Sequence, residues 1–267
     1  MKKKQDLHKF QEYFDNYILS PDYEIKRIDQ VPVGLVALDL FQTTGENKYY
    51  DFSKKVFQYV ESLMDEDGLL SYRQGQTVLY YDAIGLTVPF LTKYSQVVND
   101  RALEIAQQQI QYYVDYGLSE EGYVPSHAID KTTKIPLGSS NWGRGIGWYL
   151  LGLSSYYKET GEFEKEYRGL LNTLKSLRNE QGLWGQFPGS KDKFDASASL
   201  MYIYAELQND PDSYCKSELM RLLRIFISVE GEVLETSGDT YSANYYSSTF
   251  GKSELSQGLL LSIISQL

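Results

Sequence analysis

Apolar residues at three- and four-residue spacing run through almost the whole chain, joined by two kinds of connection that alternate. The spacing predicts ten helices: Leu7–Leu19, Val33–Thr44, Lys48–Met64, Ala83–Tyr94, Arg101–Tyr116, Gly145–Glu159, Phe163–Asn179, Ala196–Leu207, Ser213–Val229 and Glu254–Leu267. No convincing run of alternating strand pattern stands beside them, which places the chain in the all-α class. Short turns recur as TGENKYYD at Thr44–Asp51 and TGEFEKEY at Thr160–Tyr167, each with a glycine where a helix end needs a left-handed residue. Longer loops open on an acidic-Gly-apolar signature at Glu66, Glu120, Glu180 and Glu230, and their glycines (Gly68, Gly122, Gly182, Gly231) recur roughly every 50–60 residues. Short turns at one end and long loops at the other describe a toroid of helical hairpins with a cleft built from the long loops. The plainer alternative is an irregular helical bundle with coincidental glycines. No linker or composition shift divides the chain, so residues 1–267 read as a single domain.

A formal charge of −10 argues against nucleic acid as a partner, since no basic stripe is present to neutralise phosphates. Lys2, Lys3 and Lys4 form the only basic run and read as a solvated terminus. An anionic ligand remains compatible, provided that a cation stands in its pocket. Cys215 is the only cysteine, and with His8 and His127 the only histidines a metal site has almost no ligands to draw on. Neither a metal nor another cofactor is expected. The start of the chain has no apolar signal core, no run is long enough to span a bilayer, and the chain reads as cytoplasmic. Twenty-four tyrosines are unusual; they suit clefts that stack on sugars, and they suit core filling equally well.

Polar and aromatic clusters fall in the long loops. Asp82, in QTVLYYDAIGLTVPF, stands at a loop-to-helix junction, where a helix cap is the plain expectation. With Tyr80 and Tyr81 drying it, the same carboxyl becomes a catalytic acid with a raised pKa. His127 lies in PSHAID. Arg144, in SNWGRGIGW at Ser140–Trp148, stands among three glycines that would let backbone approach a ligand, flanked by Trp142 and Trp148. Asp195 and Asp29 precede two further helices. Separated carboxylates beside Trp, Arg and His make a glycosidase-like set.

WGRGIGW at Trp142–Trp148 resembles the W-[AG]-R-G-N-G-W motif of glycoside hydrolase family 105, the unsaturated rhamnogalacturonyl hydrolases, whose relatives in family 88 are unsaturated glucuronyl hydrolases. YYDAIGLTVPFL at Tyr80–Leu91 resembles their W-x-D-[GTS]-L-x-M-x-x-P-F-L segment, and RIDQVPVG at Arg27–Gly34 with LFQTTGENKY at Leu40–Tyr49 resembles L-D-H-x-x-x-G…L-Y-x-x-T-G-[DE]-x-K-Y. The resemblance implies an (α/α)6 barrel and hydration of the double bond in a Δ4,5-unsaturated uronic acid at the end of an oligosaccharide. It implies Asp82 as proton donor and water activator, Asp29 as second acid, and Tyr80, His127, Trp142, Arg144 and Trp148 as substrate contacts.

Two departures stand out: Ile146 where the motif has Asn, and Tyr80 where the family has Trp. Ten helices also stand where a closed barrel has twelve. That leaves a shortened, open barrel, one completed by a second copy of the chain, or one whose first hairpin lies outside this sequence. The rival functions are another α-toroid activity, a glycosidase or a sugar epimerase, and a non-catalytic saccharide-binding relative serving a surface-polysaccharide pathway.

Overall fold

The computed structural model describes residues 2–138, 141–190 and 194–267. Ser140 and the side chains of Lys2, Lys3 and Lys4 lie outside what is described. Ten α-helices occur among the described residues: α1 (Lys2–Tyr13), α2 (Val33–Thr44), α3 (Asn47–Ser62), α4 (Asp82–Val97), α5 (Arg101–Tyr116), α6 (Gly143–Thr160), α7 (Glu164–Ser176), α8 (Ala196–Asn209), α9 (Lys216–Phe226) and α10 (Glu254–Ile264). Their order and bounds follow the spacing of apolar residues to within a few positions, except that α1 gives way to a π-turn at Phe14–Ile18. None is long and apolar enough to cross a membrane.

The helices divide into an inner arc and an outer set. The inner helices α2, α4, α6, α8 and α10 pack each on the next, and α3, α5 and α7 lie against α2, α4 and α6. Burial patterns explain the division. On α3 the buried side chains are Tyr49, Phe52, Ser53, Val56, Phe57 and Val60, a stripe at three- and four-residue spacing with charged residues opposite. The central inner helices α4, α6 and α8 are buried over most of their residues, and on α8 every residue from Ala196 to Ile203 is enclosed.

Both short turns form as their glycines require. Gly45 (φ 73°) ends α2 and Gly161 (φ 74°) ends α6 in the left-handed conformation, each returning its N–H to a carbonyl one turn back. The long loops share a second device. Asp65 accepts hydrogen bonds from the backbone N–H of Asp67 and Leu69, and Asn179 does the same for Gln181 and Leu183. Gly68 and Gly182, at φ 76° and 83°, then turn the chain back on itself. Each tight turn thus delivers the chain to an outer helix and each long loop returns it to an inner one. In consequence the N-termini of α2, α4, α6, α8 and α10 all lie at the long-loop end.

Sequence periodicity does not register the five short strands. β1 (Val78–Tyr80), β2 (Ala128–Asp130) and β3 (Pro136–Leu137) form an antiparallel sheet in that order, with Tyr80 paired to Ala128. β4 (Thr236–Ser237) pairs with β5 (Phe250–Gly251). Two- and three-residue strands are too short to show alternation, so their absence from the sequence reading has a plain cause.

The glycines of α6 have a different use from the one their spacing suggested. A Cβ on Gly143 would meet Ala198, one on Gly145 would run into the Tyr81 ring, and one on Gly147 would meet Met201. They bring helices and rings together and do not open backbone to a ligand. The tightest crossing is α4 on α6, where a Cβ on Gly85 would stand 2.3 Å from the Trp148 carbonyl oxygen, and one on Gly152 would meet Ile84. Gly85→Ala is therefore expected to cost about 1–3 kcal/mol by overpacking. Gly258→Ala, on a helical position with open space around it, should be neutral or stabilise by about 0.5–1 kcal/mol. Urea unfolding of the two variants checks the contrast, and equal midpoints would contradict it.

Candidate active site

The β1–β2 pairing builds the site. Running antiparallel, it carries the α3–α4 loop beside the α5–α6 loop, and the Tyr81 N–H donates to the His127 carbonyl at 3.3 Å. The His127 ring then stacks on Tyr81 (centroids 5.0 Å apart, planes 12° apart) and leans on Trp142 at 5.0 Å. Directly after Tyr81, Asp82 opens α4. Asp82 and His127 share a cavity of about 340 Å³ with Tyr72, Arg73, Gln76, Tyr80 and the segment Thr240–Ser242. Larger cavities lie elsewhere, one of about 730 Å³ between the Ile18–Ile25 segment and α3, but it holds no comparable pairing of a desolvated acid with polar and aromatic groups.

Asp82 is not the helix cap that its position suggests. It is the first residue of α4, and Tyr81 holds the cap position. Oδ1 is wholly buried with no hydrogen-bond partner, although the residue as a whole still reaches the cavity. Burial without compensation penalises the charged carboxylate and pushes its pKa up to about 7, against a smaller opposing attraction from Arg144. Asp195, at the head of α8, has the opposite environment. Its carboxylate accepts from Ala198 N–H, the Ser197 hydroxyl (2.5 Å) and Ser237 N–H, so it caps the helix as expected and joins it to β4.

Asp29 lies in a single 3-10 turn, Ile28–Gln30, that packs against α4. Its side chain is 42% exposed and pairs with Arg27 at 3.1 Å. Asp29 and Asp82 both act on the phenol of Tyr72: burial raises its pKa first, then Asp82 and Asp29, while Arg27 and Arg73 lower it. The two acids therefore approach one side chain at the long-loop end. Desolvation, and not the charge of Asp29, is what raises the pKa of Asp82.

His127 is buried, and its pKa is pushed down to about 4 by burial. Nδ1 lies 3.1 Å from the Ala243 carbonyl and 3.1 Å from the Tyr246 hydroxyl. A carbonyl can only accept, so Nδ1 carries the proton and Nε2 of the neutral ring is left as an acceptor. Tyr80 lines the cavity, edge-on to both Tyr72 and His127.

Three residues expected at the substrate do not line this cavity. Trp142 is buried between His127, Tyr81 and Tyr246, with its indole N–H enclosed and unpartnered. Arg144 is buried too, and its guanidinium donates to the carbonyls of Ser237 (2.8 Å) and Gly238, with Asp239 at 3.7 Å. Its Nη2 is directed to the β4–β5 hairpin, which it anchors, and the residue faces a separate cavity. Trp148 packs against the core, and its backbone lies against Gly85. Ile146 is 1% exposed in the same core, so that departure from the family motif does not touch the cavity, whereas Tyr80 does.

Arg73, Gln76, Tyr72 and Tyr241 reach the cavity without having been singled out in the sequence. Arg73 supplies the local cation that an acidic protein needs for an anionic ligand. Its place nine residues before Asp82, in a loop rich in Tyr and Gln, is the only signal it left. Among the described residues no three His, Cys, Asp or Glu side chains gather as metal ligands do.

Solved structures share this architecture. A possible family 105 member from Klebsiella pneumoniae superimposes with a TM-score of 0.83, covering 97% of this chain and 76% of its own at 17% identity. The family 105 glycoside hydrolase of C. acetobutylicum gives 0.74, covering 99% and 89% at 17% identity. A family 88 glycosyl hydrolase from Bacteroides vulgatus gives 0.67, covering 92% and 76% at 13% identity. At these identities the likeness establishes the fold, the α/α toroid. Residues 1–209, most of the chain, match the model of one family, and the chain belongs to Glycosyl Hydrolase Family 88, a family of glycosidases.

Proposed function

We propose that the protein hydrolyses oligosaccharides ending in a Δ4,5-unsaturated uronic acid, by hydrating the double bond. The observation that carries this reading is Asp82, a carboxyl whose desolvation brings its pKa to about 7 at the wall of a cavity lined by tyrosines and an arginine. Such a group is half protonated near neutral pH, where it can give and take a proton with little driving force lost.

In the proposed reaction the Asp82 carboxylic acid protonates C4 of the vinyl ether, and positive charge develops at C5 and the ring oxygen. Water bonds to C5 while its proton passes to the Asp82 carboxylate, which restores the acid. The resulting hemiketal opens, and the bond to the neighbouring sugar breaks by hemiacetal collapse without attack at the anomeric carbon. Arg73 is assigned to the uronate carboxylate, as a guanidinium free of any ion pair among the described residues. Tyr80 and Tyr72 wall the ring, and Nε2 of His127 accepts a sugar hydroxyl. Asp29 stays at the rim with Arg27 and orients substrate or water. Trp142, Arg144 and Trp148 hold the wall and the hairpin in place.

Incubation with lyase-generated oligosaccharides from several polysaccharides should remove the ultraviolet absorbance of the conjugated uronate, and persistence with every one would exclude the reading. Asp82→Asn should lower kcat by at least about a thousandfold while substrate still binds.

The pH dependence follows from burial. Turnover should fall as pH rises through about 7, where Asp82 loses its proton. Asp29→Asn should reduce activity and leave that limb in place, since Asp29 does not raise the pKa of Asp82. A limb displaced by a full unit in the Asp29 variant would return the two acids to a coupled pair.

The same shift has a stability signature. The Asp82 pKa is about 3.9 unfolded and about 7 folded, so the native state binds the extra proton between these values. Stability is therefore lost as pH rises through that interval, and the penalty is complete above about pH 7. Asp82→Asn removes the penalty. The variant should melt higher than the wild type at pH 8, with the gap closing towards pH 4, and a gap that is constant with pH would show that Asp82 is not desolvated.

A further inference from the structure

We propose that the β4–β5 hairpin carries the subsite for the sugar on the leaving side of the scissile bond, with the exposed ring of Tyr241, backed by Tyr245, as its stacking platform. This rests on the hydrolase reading above and extends it to a residue set that no motif marked.

Four observations support the assignment. First, the segment between β4 and β5 reaches the Asp82 cavity through Thr240, Tyr241 and Ser242, so it stands on the same opening as the acid. Second, two large aromatic rings are left outside at its tip. Tyr241 is 78% and Tyr245 62% exposed, with centroids 5.2 Å apart. Exposed aromatics paired at the mouth of a polar cavity present the apolar faces that a pyranose ring stacks on, with hydroxyls beside them. Third, the tip is shaped and not loose: Tyr241 N–H donates to the Tyr245 carbonyl at 3.0 Å, and Tyr245 N–H to the Ser242 carbonyl at 3.2 Å.

Fourth, the base is held by buried groups. Arg144 donates to Ser237 and Gly238, the Gln186 amide donates to the Ser247 carbonyl at 2.8 Å, and the Tyr246 hydroxyl donates to the Ala243 carbonyl at 2.7 Å. The Tyr246 ring packs on Trp142 and Phe187. A platform fixed at its base loses little conformational entropy when a sugar settles on it. The geometry also divides the labour. The uronate ring sits by Asp82, Tyr80 and Arg73, and the next ring, pointing outward, meets Tyr241.

The test compares two substrates that differ only in the leaving group: an unsaturated uronyl disaccharide and the methyl glycoside of the same unsaturated uronate. In Tyr241→Ala the ratio of kcat/KM for the disaccharide to that for the methyl glycoside should fall about tenfold, the scale of one aromatic stacking contact. Tyr241→Phe should restore it, because the ring face and not the hydroxyl is needed. A ratio unchanged in Tyr241→Ala, with the wild type cleaving both compounds, overturns the platform and leaves the hydrolase reading standing. If the wild type cleaves neither compound, the hydrolase reading fails, and calorimetric titration with the intact disaccharide decides the platform separately. Binding weakened about tenfold by Tyr241→Ala and restored by Tyr241→Phe then supports it, and equal binding or none overturns it.

Discussion

A left-handed glycine at the end of an inner helix fixes more of this molecule than any single side chain contact. Gly45 and Gly161 let the chain reverse within a few residues, so one end of the toroid is closed by tight turns. The long connections are then forced to the other end, where every inner helix begins. Ordered loops, opened N–H groups and the positive ends of helix dipoles thereby collect on one face. An acidic chain of net charge −10 gains from this a favourable local field for an anion, to which Arg27 and Arg73 add full charges.

Placed at that end, two aspartates at inner-helix starts have opposite fates, and their neighbours show why. Asp195 precedes Ala, Ser and Ala, whose small side chains leave the backbone N–H and the Ser197 hydroxyl within reach, and Ser237 closes the remaining side. Asp82 follows two tyrosines and sits one position inside its helix, where no backbone donor points at its side chain. The Tyr81 ring is held by Gly145 and stacked on His127, and both its hydroxyl and Asp82 Oδ1 are buried without a hydrogen-bond partner. A satisfied carboxylate is a structural cap, while a dry one becomes a proton reservoir whose pKa lies near that of the medium.

The legible part of the chain was the part with a period. Helix order, the two turn classes and the long-loop face followed from spacing and glycines, and the burial of Asp82 followed from the apolar helix behind it. Contacts made by two or three residues, with no period to show, stayed hidden: the β1–β2 pairing that brings His127 to Tyr81, and the β4–β5 hairpin that reaches the cavity. Arg144 and Trp148 illustrate a second limit. A motif can mark residues near a site, but whether each side chain faces the ligand or braces the wall depends on helix rotation. Here Gly85 and Gly152 set that rotation through the close crossing of α4 on α6. The source of the raised Asp82 pKa was hidden for a third reason. Coupling between two acids depends on distance and solvent, and Asp29 remains 42% exposed beside Arg27.

The buried arginine links the hairpin to the acid. Arg144 brings a full positive charge near the acid, yet the Ser237 and Gly238 carbonyls accept from its Nη2, and Asp239 stands against it. What reaches Asp82 is a residual attraction, too weak to offset desolvation but enough to hold the carboxyl near neutrality instead of higher. His127, kept neutral by burial, adds no second cation that would lower it further. One side chain thus anchors the hairpin bearing Tyr241 and moderates the acidity of Asp82. The placing of the hairpin and the acidity of Asp82 are in this way tied to the same guanidinium.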